Sequence, residues 1–206
     1  PPPPPSFFFH QHHGILDFCL SRGLGDVYKR QLLEGHFILS SGLRSEKYLQ
    51  CAQLMMYPDL AEKVCKSLAE KIKKTNIEFD LVASPAIGGV LVGYQVSKFL
   101  NVPNIFVERV NNVFNLRRGF ECKNKKVIIV EDVVTTGKSS LECSKCLQDS
   151  GAKISGYACI VDRSGGNSQI NEIISQINFN IPVFSEDELP ENLKKITAVK
   201  PGSRKN

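Results

Sequence analysis

One segment organises the rest of the sequence: Val127-Ile128-Ile129-Val130-Glu131-Asp132-Val133-Val134-Thr135-Thr136-Gly137-Lys138-Ser139-Ser140. Its apolar start is rich in β-branched residues and predicts a buried parallel strand. Two adjacent carboxylates stand at the carboxyl end of that strand. A loop of small residues, Thr135 to Ser140, then leads into a helix that we expect to continue through Cys146. Because ligands of open α/β sheets bind outside the carboxyl ends of the strands, this segment predicts a ligand site.

The two halves of this segment suit two different chemical groups. The backbone N–H groups of the loop and of the helix N-terminus can surround an anion such as phosphate. Glu131 and Asp132 can accept hydrogen bonds from neutral hydroxyls or hold a cation. A phosphate beside a pair of hydroxyls describes a ribose 5-phosphate, so a sugar phosphate is the ligand that these residue types favour.

Three other interpretations explain less of the segment. Gly137-Lys138-Ser139 is similar to the end of a P-loop, but that motif needs a glycine where Asp132 stands. The sequence has no G-x-G-x-x-G after a strand, which excludes a dinucleotide-binding fingerprint. An ordinary core strand with an acidic end explains the apolar residues alone. It does not explain the acid pair, the small-residue loop and the helix start that follow them.

Composition and charge place the chain among soluble single α/β domains. It has 206 residues, of which 42% are hydrophobic and 23% charged, and its net charge is +5. This mild basic excess fits phosphate ligands, but the lysines are scattered and form no stripe for nucleic acid. No apolar run is long enough for a membrane span. The 7 cysteines have no regular spacing, which favours a reduced, cytoplasmic protein, and we expect Cys143-x-x-Cys146 to pack within a helix.

Residues 1–31 do not resemble the rest of the chain. They contain the runs Pro1–Pro5 and Phe7–Phe9, and a histidine cluster with no carboxylate or cysteine framework for a metal. The run Gly25-Asp26-Val27-Tyr28-Lys29-Arg30-Gln31 looks like the translated end of a sequencing adapter. We therefore interpret residues 1–31 as a translation or assembly artefact and residues 32–206 as a single domain.

From residue 32 onward the sequence predicts alternating strands and helices. The predicted elements are strand–turn–strand over Leu32–Gly42 with Ser45 and Tyr48, an amphipathic helix over Asp59–Lys74, a strand over Phe79–Ser84, a buried helix over Val90–Leu100, a strand over Asn104–Arg109, a long loop or hairpin over Val110–Cys122, and a last clear strand over Ile154–Asp162. This alternation implies a parallel sheet that is covered by helices on both faces.

Several motifs, in order along the chain, resemble those of the bacterial type of orotate phosphoribosyltransferase, a family of type I phosphoribosyltransferases. They are Gly35–Gly42, Ser84–Gly89, Leu116–Phe120, the segment around Glu131, Asp162-Arg163 and Lys200–Ser203. The resemblance implies a parallel sheet flanked by helices, with a small hood from the N- and C-terminal segments. It also implies a glycosyltransferase (pentosyltransferase) of UMP biosynthesis that moves the 5-phosphoribosyl group of phosphoribosyl diphosphate (PRPP) to orotate. The products are orotidine 5′-monophosphate and pyrophosphate, and the enzyme is expected to be a homodimer.

The resemblance also assigns roles to individual residues. The expected catalytic residues are Asp132, Glu131, Arg117 and Arg118. The expected PRPP-binding residues are Arg109, Glu131, Asp132, Val133, Val134, Thr135, Thr136, Gly137, Lys138, Ser139, Ala86, Ile87 and Gly88. The expected orotate-binding residues are Thr135, Arg163 and Tyr48. Mg²⁺ is expected to be bound mainly through PRPP, with no metal ligand from the protein. Guanidinium groups hold phosphate oxygens bidentately, so the arginines also suit pyrophosphate by residue type alone.

Thr135 bears on the choice of base. Purine-type phosphoribosyltransferases resemble this segment but carry an aspartate at that position, where it serves a proton on a ring nitrogen. Orotate can enter as an anion at N1, so a hydroxyl is enough, and Thr135 together with Asp162-Arg163 favours orotate. The alternatives are a purine-type enzyme and a non-catalytic PRPP-sensing regulator, and such regulators carry a DNA-binding segment that is not visible in this sequence.

The chain departs from well-studied members of the resembled family at several positions. Ser40 stands where they have a lysine, a second lysine near Gly88 is missing, and the mobile loop lacks a lysine–histidine pair. We expect Arg117 and Arg118 to replace that pair. The loop from Val110 to Phe120 is expected to be mobile without ligand and to reach the site of the neighbouring subunit.

Overall fold

The computed structural model describes residues 32–39, 42–49, 51–178 and 182–200, and the chain divides into two units. The larger unit spans Cys51–Asn180, and the smaller one joins the segments before and after it. The prediction for residues 1–31 lies outside the described residues, as do Ser40 and the motif positions 201–203. Within the described part of the chain, no helix combines the length and the apolar character that a membrane crossing requires.

The described elements follow one another in an order close to the predicted one. They are β1 (Leu32–Ile38), β2 (Arg44–Leu49), α1 (Cys51–Met55), α2 (Pro58–Lys73), β3 (Leu81–Pro85), α3 (Gly88–Leu100), β4 (Asn104–Val110), β5 (Val113–Leu116), β6 (Lys126–Val134), α4 (Lys138–Asp149), β7 (Lys153–Asp162), β8 (Ile174–Asn178), β9 (Val183–Phe184) and α5 (Glu191–Lys194). The loop or hairpin expected after β4 is a hairpin, because β5 pairs antiparallel with β4. The sequence analysis missed β8, which pairs in parallel with β7 and extends the sheet beyond the last strand that was expected.

The larger unit is built on a six-stranded sheet in the order β5-β4-β3-β6-β7-β8. Strands β4, β3, β6, β7 and β8 are parallel to their neighbours, and β5 at one edge is antiparallel. β3 is buried along its whole length, as expected of a central strand that is covered on both faces. The predicted fold class, a mostly parallel sheet flanked by helices, is confirmed.

Helices cover both faces of this sheet because successive side chains of a strand point to opposite faces. On one face, Ala83 and Ile129 share a core with Cys143 and Leu147 of α4. On the other face, α2 and α3 pack against each other and α3 packs against β3 and β6. The predicted apolar stripe of α2 lies on this face, and three of its residues are buried: Val64, Leu68 and Ile72.

The order of the strands creates a crevice between β3 and β6. β3 is connected through α3 to β4 on one side of it, whereas β6, which comes later in the chain, lies on its other side. Ligands of such sheets bind where the direction of the strand order reverses, outside the carboxyl ends of the strands. The loop after β3 and the loop after β6 both lie at this edge, which is where the sequence analysis expects the ligand.

The smaller unit is a three-stranded sheet in the order β1-β2-β9. β1 and β2 form the predicted antiparallel pair, and the C-terminal strand β9 pairs with β2. Two contacts tie the C-terminal segment to β1: Phe37 forms a parallel bridge with Val199, and the His36 ring bonds to the Ile196 carbonyl at 3.0 Å. This unit therefore combines N- and C-terminal segments, as expected.

Candidate active site

The acid pair lies near the carboxyl end of β6, as the sequence predicted, and the strand ends two residues further on, at Val134. β6 continues through Val133 and Val134, which pair with Val161 and Asp162 of β7. β7 extends equally far along β6, so the ladder of hydrogen bonds runs past the carboxylates. The loop between strand and helix begins at Thr135, as expected, but it is shorter than predicted because α4 already begins at Lys138.

Glu131 and Asp132 leave the strand on opposite faces, since they are consecutive residues of β6. Glu131 is buried, and its Oε1 accepts a hydrogen bond from the Ser140 hydroxyl of α4 at 2.7 Å. Burial raises the pKa of Glu131 to about 7, and the Ser140 hydroxyl acts in the opposite direction. Glu131 is thus a carboxylate whose charge is sensitive to pH near neutrality.

Asp132 faces the loop that follows β3. A Cβ built on Gly88 would lie 2.6 Å from Oδ2 of Asp132, so only glycine allows this carboxylate to stand where it does. Burial raises the pKa of Asp132, although N–H groups of its own backbone and of Val133 lower it. The Ala86–Ile87 peptide bond in the same loop is cis, and the Ala86 N–H donates to the Val107 carbonyl at 2.8 Å. The loop after β3 therefore borders the acid pair directly.

The loop expected to bind phosphate ends at the N-terminus of α4. Thr135 and Thr136 are exposed, and Gly137 is buried with a φ of 79°. A side chain at Gly137 would also meet Ser168 Oγ at 2.8 Å, so both its conformation and its surroundings require glycine. The first backbone hydrogen bond of the helix runs from the Leu141 N–H to the Gly137 carbonyl, at 2.9 Å. The preceding N–H groups of α4 have no partner in the helical ladder, which is the arrangement that suits an anion.

Arg109 lies near the acid pair at the carboxyl end of β4. Its guanidinium carbon is 4.0 Å from the centre of the Phe114 ring, and it donates to the Asn112 carbonyl at 2.8 Å. It also forms an ion pair with Glu142 of α4. Its positive charge lowers the pKa of Glu131, though less than the Ser140 hydrogen bond does. The guanidinium is thus held by the hairpin and by α4.

Both hairpin arginines bind the same carboxylate. Glu108 contacts Arg118 at 3.1 Å and Arg117 at 3.4 Å, and the Arg118 guanidinium carbon lies 5.7 Å from the centre of the Phe106 ring. The side chains of Arg117 and Arg118 are 58% and 59% exposed, whereas Glu108 is 21% exposed. The arginines that were expected to be catalytic are therefore turned toward their own hairpin in this structure.

Arg163 lies just after β7, close to the acid pair. Its N–H donates to the Val134 carbonyl at the end of β6, at 2.8 Å. Burial raises the pKa of the Cys51 thiol, Asp132 raises it further, and Arg163 lowers it. Because both charges act on this one thiol, Arg163 and Asp132 lie in the same neighbourhood.

The larger unit thus gathers most of the expected site residues at one edge of its sheet. Tyr48 belongs to the smaller unit, where its ring lies 5.7 Å from the ring of Phe37 with an interplanar angle of 40°. Its contact with orotate stays a prediction. The roles of the other residues also stay predictions, but their grouping provides carboxylates, a helix N-terminus and guanidinium groups at the place where a sugar phosphate was expected.

Comparison with known proteins identifies the family. A model of the phosphoribosyl transferase domain matches residues 56–188. The orotate phosphoribosyltransferase of Brucella ovis is 49% identical over 175 residues, which are 84% of this chain and 91% of that protein. The chain belongs to the orotate phosphoribosyltransferase family.

Solved structures of orotate phosphoribosyltransferases share the fold. The enzyme of Mycobacterium tuberculosis H37Rv, in complex with inorganic phosphate, has a TM-score of 0.60 at 20% identity and covers 74% of this chain and 92% of its own. The enzyme of Aeropyrum pernix has a TM-score of 0.63 at 21% identity and covers 80% of this chain and 93% of its own. At such identities the likeness supports the fold, and the family assignment rests on the sequence matches.

Three residues that contact the expected site residues were missed by the sequence analysis. Ser140 bonds to Glu131, Glu142 pairs with Arg109, and Glu108 holds Arg117 and Arg118. Each of these contacts joins residues that only the tertiary fold brings together, so none of them had a signal in the sequence.

Proposed function

We propose that the edge of the large sheet around β6 is the active site of an orotate phosphoribosyltransferase. The chain is a pentosyltransferase that moves the 5-phosphoribosyl group from PRPP to orotate, in pyrimidine biosynthesis. This conclusion rests on the match at 49% identity to a relative of which the aligned residues cover 91%. The acid pair beside a glycine-bounded helix N-terminus supports it independently.

The acid pair acts on the ribose of PRPP. Breaking the bond between C1 and pyrophosphate builds positive charge on the sugar, and fixed carboxylates stabilise that charge. Glu131 and Asp132 accept hydrogen bonds from the ribose hydroxyls and thereby orient the ring for attack by orotate N1. Burial of the pair keeps water from weakening these interactions.

The loop after β6 binds the 5′-phosphate. Backbone N–H groups from Thr135 to Ser139, together with the α4 N-terminus, surround its oxygens. Val133 and Val134 hold the start of this loop in the sheet, and the Lys138 side chain adds a positive charge. The expected partner loop, Ala86 to Gly88, lies beside Asp132 and receives the pyrophosphate.

Arginines take up the charge of the leaving pyrophosphate. Arg109, Arg117 and Arg118 supply guanidinium groups that fit phosphate oxygens bidentately. The described residues contain no group of three or more His, Cys, Asp and Glu side chains that could hold a metal on their own. When bound, Mg²⁺ neutralises charge on the diphosphate.

Orotate is held by Thr135 and Arg163, and the expected contact of Tyr48 with the ring stays a prediction. Arg163 pairs with the orotate carboxylate, and Thr135 bonds to the pyrimidine ring. Losing a charge-assisted hydrogen bond costs about 1.5–3 kcal/mol, so Arg163→Ala should raise the KM for orotate about tenfold or more and the KM for PRPP much less. Equal effects on both substrates would place Arg163 outside the orotate site.

The direct test is an assay of orotate consumption with PRPP and Mg²⁺. Hypoxanthine and uracil serve as control bases, and a chelator tests the dependence on a divalent cation. We expect turnover of orotate alone, and only with the cation. Tight PRPP binding without turnover of any base would instead favour the PRPP-sensing regulator.

A homodimer in the cytoplasm is the expected form of this enzyme. Ile87, Leu91 and Tyr94 are 87%, 56% and 64% exposed, and their spacing places them along one face of α3. An apolar stripe of this kind, next to the loop after β3, fits the surface of a second copy. The six described cysteines are free, which fits a reducing compartment.

Mixing two inactive variants tests whether the hairpin acts in the neighbouring subunit. One variant is Asp132→Asn, and the other combines Arg117→Ala with Arg118→Ala. If catalysis uses the partner's arginines, each mixed dimer holds one sound site of its two, so each mixed dimer formed by subunit exchange regains up to about half of the normal activity. No recovery would mean that the arginines act within their own chain or do not act at all.

A further inference from the structure

A buried hydrogen bond connects the acid pair to the first turn of α4. The Ser140 hydroxyl donates to Oε1 of Glu131 at 2.7 Å, between side chains that are nine residues apart in the chain. Ser140 is 1% exposed and Glu131 is 6% exposed, so almost no solvent reaches either group. Ser140 is not among the residues expected to touch PRPP or orotate.

The direction of this hydroxyl is informative. A serine inside a helix commonly bonds to the carbonyl of the preceding turn, whereas Ser140 reaches across to the strand. A buried carboxylate needs donors to stay ionised, and a hydrogen bond to its charged form is strong in surroundings without water. The bond also fixes the direction of the Glu131 side chain, since one of its oxygens is held at a fixed point of α4.

We propose that Ser140 is a positioning residue for phosphoribosyl transfer, which holds Glu131 by Oε1 and leaves Oε2 to accept a hydrogen bond from a ribose hydroxyl. The inference rests on the proposed role of Glu131 toward PRPP. It goes beyond that role because it gives a function to a residue that touches neither substrate.

The groups around Glu131 leave Ser140 as its main stabilising partner. Asp132 on the same strand raises the pKa of Glu131, and Arg109 of β4 lowers it less than Ser140 does. The thiols of Cys143 on α4 and Cys159 on β7 lie nearby, but burial raises the pKa of both well above the usual value, so they stay neutral. Removing the hydroxyl should therefore shift Glu131 further toward its protonated form.

The chain offers a matched control one turn along the same helix. Ser144 is also buried, at 4% exposure, but its hydroxyl bonds to the Tyr157 hydroxyl at 2.6 Å. Ser140→Ala and Ser144→Ala thus remove the same atom from the same helix, and only the first change affects a carboxylate. The readout is the pH profile of kcat/KM for PRPP, which reports ionisations of the free enzyme. Ionisations of PRPP itself are common to all variants and cancel in the comparison.

We expect the acid limb of the Ser140→Ala profile to move up by about one pH unit, which is about a tenfold loss on the acid side. The loss should shrink above the shifted limb, where Glu131 is ionised in both proteins. Ser144→Ala should keep the limb of the unmodified protein, and Ser140→Thr, which retains a hydroxyl, should restore it. A loss that is equal at every pH, or one that follows the folded fraction, would show that Ser140 only packs and would overturn the proposal.

A carboxyl ¹³C NMR titration of Glu131 separates this inference from the proposed function. It needs no turnover, and the midpoint should be higher in Ser140→Ala than in the unmodified protein or in Ser144→Ala. An unchanged midpoint would overturn the role of Ser140 even in an active enzyme. If the unmodified protein transfers nothing to orotate while the midpoint does shift, the proposed function fails and the action of Ser140 on Glu131 stands.

Discussion

The two charged sides of the proposed site are held in different ways. The carboxylates lie within β6 and against fixed neighbours, Glu131 against Ser140 and Asp132 against Gly88. Arg117 and Arg118 are more than half exposed and bind Glu108 of their own hairpin. The negative side is thus positioned by the core of the sheet, whereas the positive side is held by surface ion pairs.

This difference suggests how binding energy is used. Groups that are already in place cost no reorganisation when charge develops on the ribose. If the hairpin arginines bind pyrophosphate as proposed, they have to leave Glu108 first, and their contribution is reduced by the contact that they give up. Four substitutions test whether the two sides differ in this way, and they follow in order of expected effect.

Asp132→Asn should have the largest effect, since it removes a charge but keeps the shape of the side chain. We expect kcat/KM for PRPP to fall about 10²–10³-fold, as for other preorganised electrostatic groups. The melting temperature should stay the same or rise, because burial disfavours the ionised form of this carboxyl.

Asp80→Asn is the control for that change, because the Asp80 carboxylate accepts the Lys126 N–H at 2.7 Å at the opposite end of the same strand. It should leave kcat/KM nearly unchanged. If Asp132→Asn instead loses activity only in proportion to its folded fraction, the carboxylate is structural and the contrast between the two sides disappears.

Gly88→Ala should lower kcat/KM about 10²-fold by displacing the Asp132 carboxylate. The added Cβ would lie 2.6 Å from Oδ2, so the carboxylate has to move, and a displacement of about 1 Å is enough for such a loss. Gly156→Ala is the control, because its Cβ meets only the tip of Ile77, at 3.2 Å. Steady-state kinetics and thermal melts of both variants test this prediction. Normal kcat/KM in Gly88→Ala would mean that the position of the Asp132 carboxylate is not critical.

Glu108→Gln should strengthen pyrophosphate binding, because it releases Arg117 and Arg118. Exposed ion pairs contribute roughly 0.2–1 kcal/mol, so the inhibition constant of pyrophosphate should fall by a factor of about two to five. Glu62→Gln breaks a comparable surface pair with Lys98 and should change nothing. Weaker pyrophosphate binding in Glu108→Gln would show that Glu108 supports the arginines in their working position.

Glu131→Gln should raise the melting temperature in a pH-dependent way. Burial raises the pKa of Glu131 from 4.5 to about 7, so the folded protein keeps a proton that the unfolded chain has already lost in this range. The stability of the unmodified protein is therefore partly lost as pH rises through that window, and the glutamine variant avoids the loss. The difference in melting temperature should be small near pH 4 and reach a few degrees at pH 8, at roughly 2–4 °C per kcal/mol. If the difference in melting temperature instead shrinks as pH rises, burial does not raise the pKa of Glu131.

Local patterns in the sequence were enough to determine the fold class and the family, and they placed the proposed site at one edge of the sheet. The apolar run before Glu131 and the glycine at position 137 act through backbone conformation and burial, which neighbouring residues largely determine. For the same reason, the helix over Asp59–Lys74 and the strand over Asn104–Arg109 were predicted to within a residue of their ends.

The tertiary structure alone decided which strand pairs with the end of β6 and which groups surround each charge. β7 pairs with β6 past the acid pair, as far as Val134, and no local pattern records which strand becomes the neighbour. Ser140 and Glu108 were missed because their effect depends on a partner that packing brings near. Residue types alone can therefore specify the chemistry of a site, but burial and the contacts of each charged group decide whether that group is already in place or has to move.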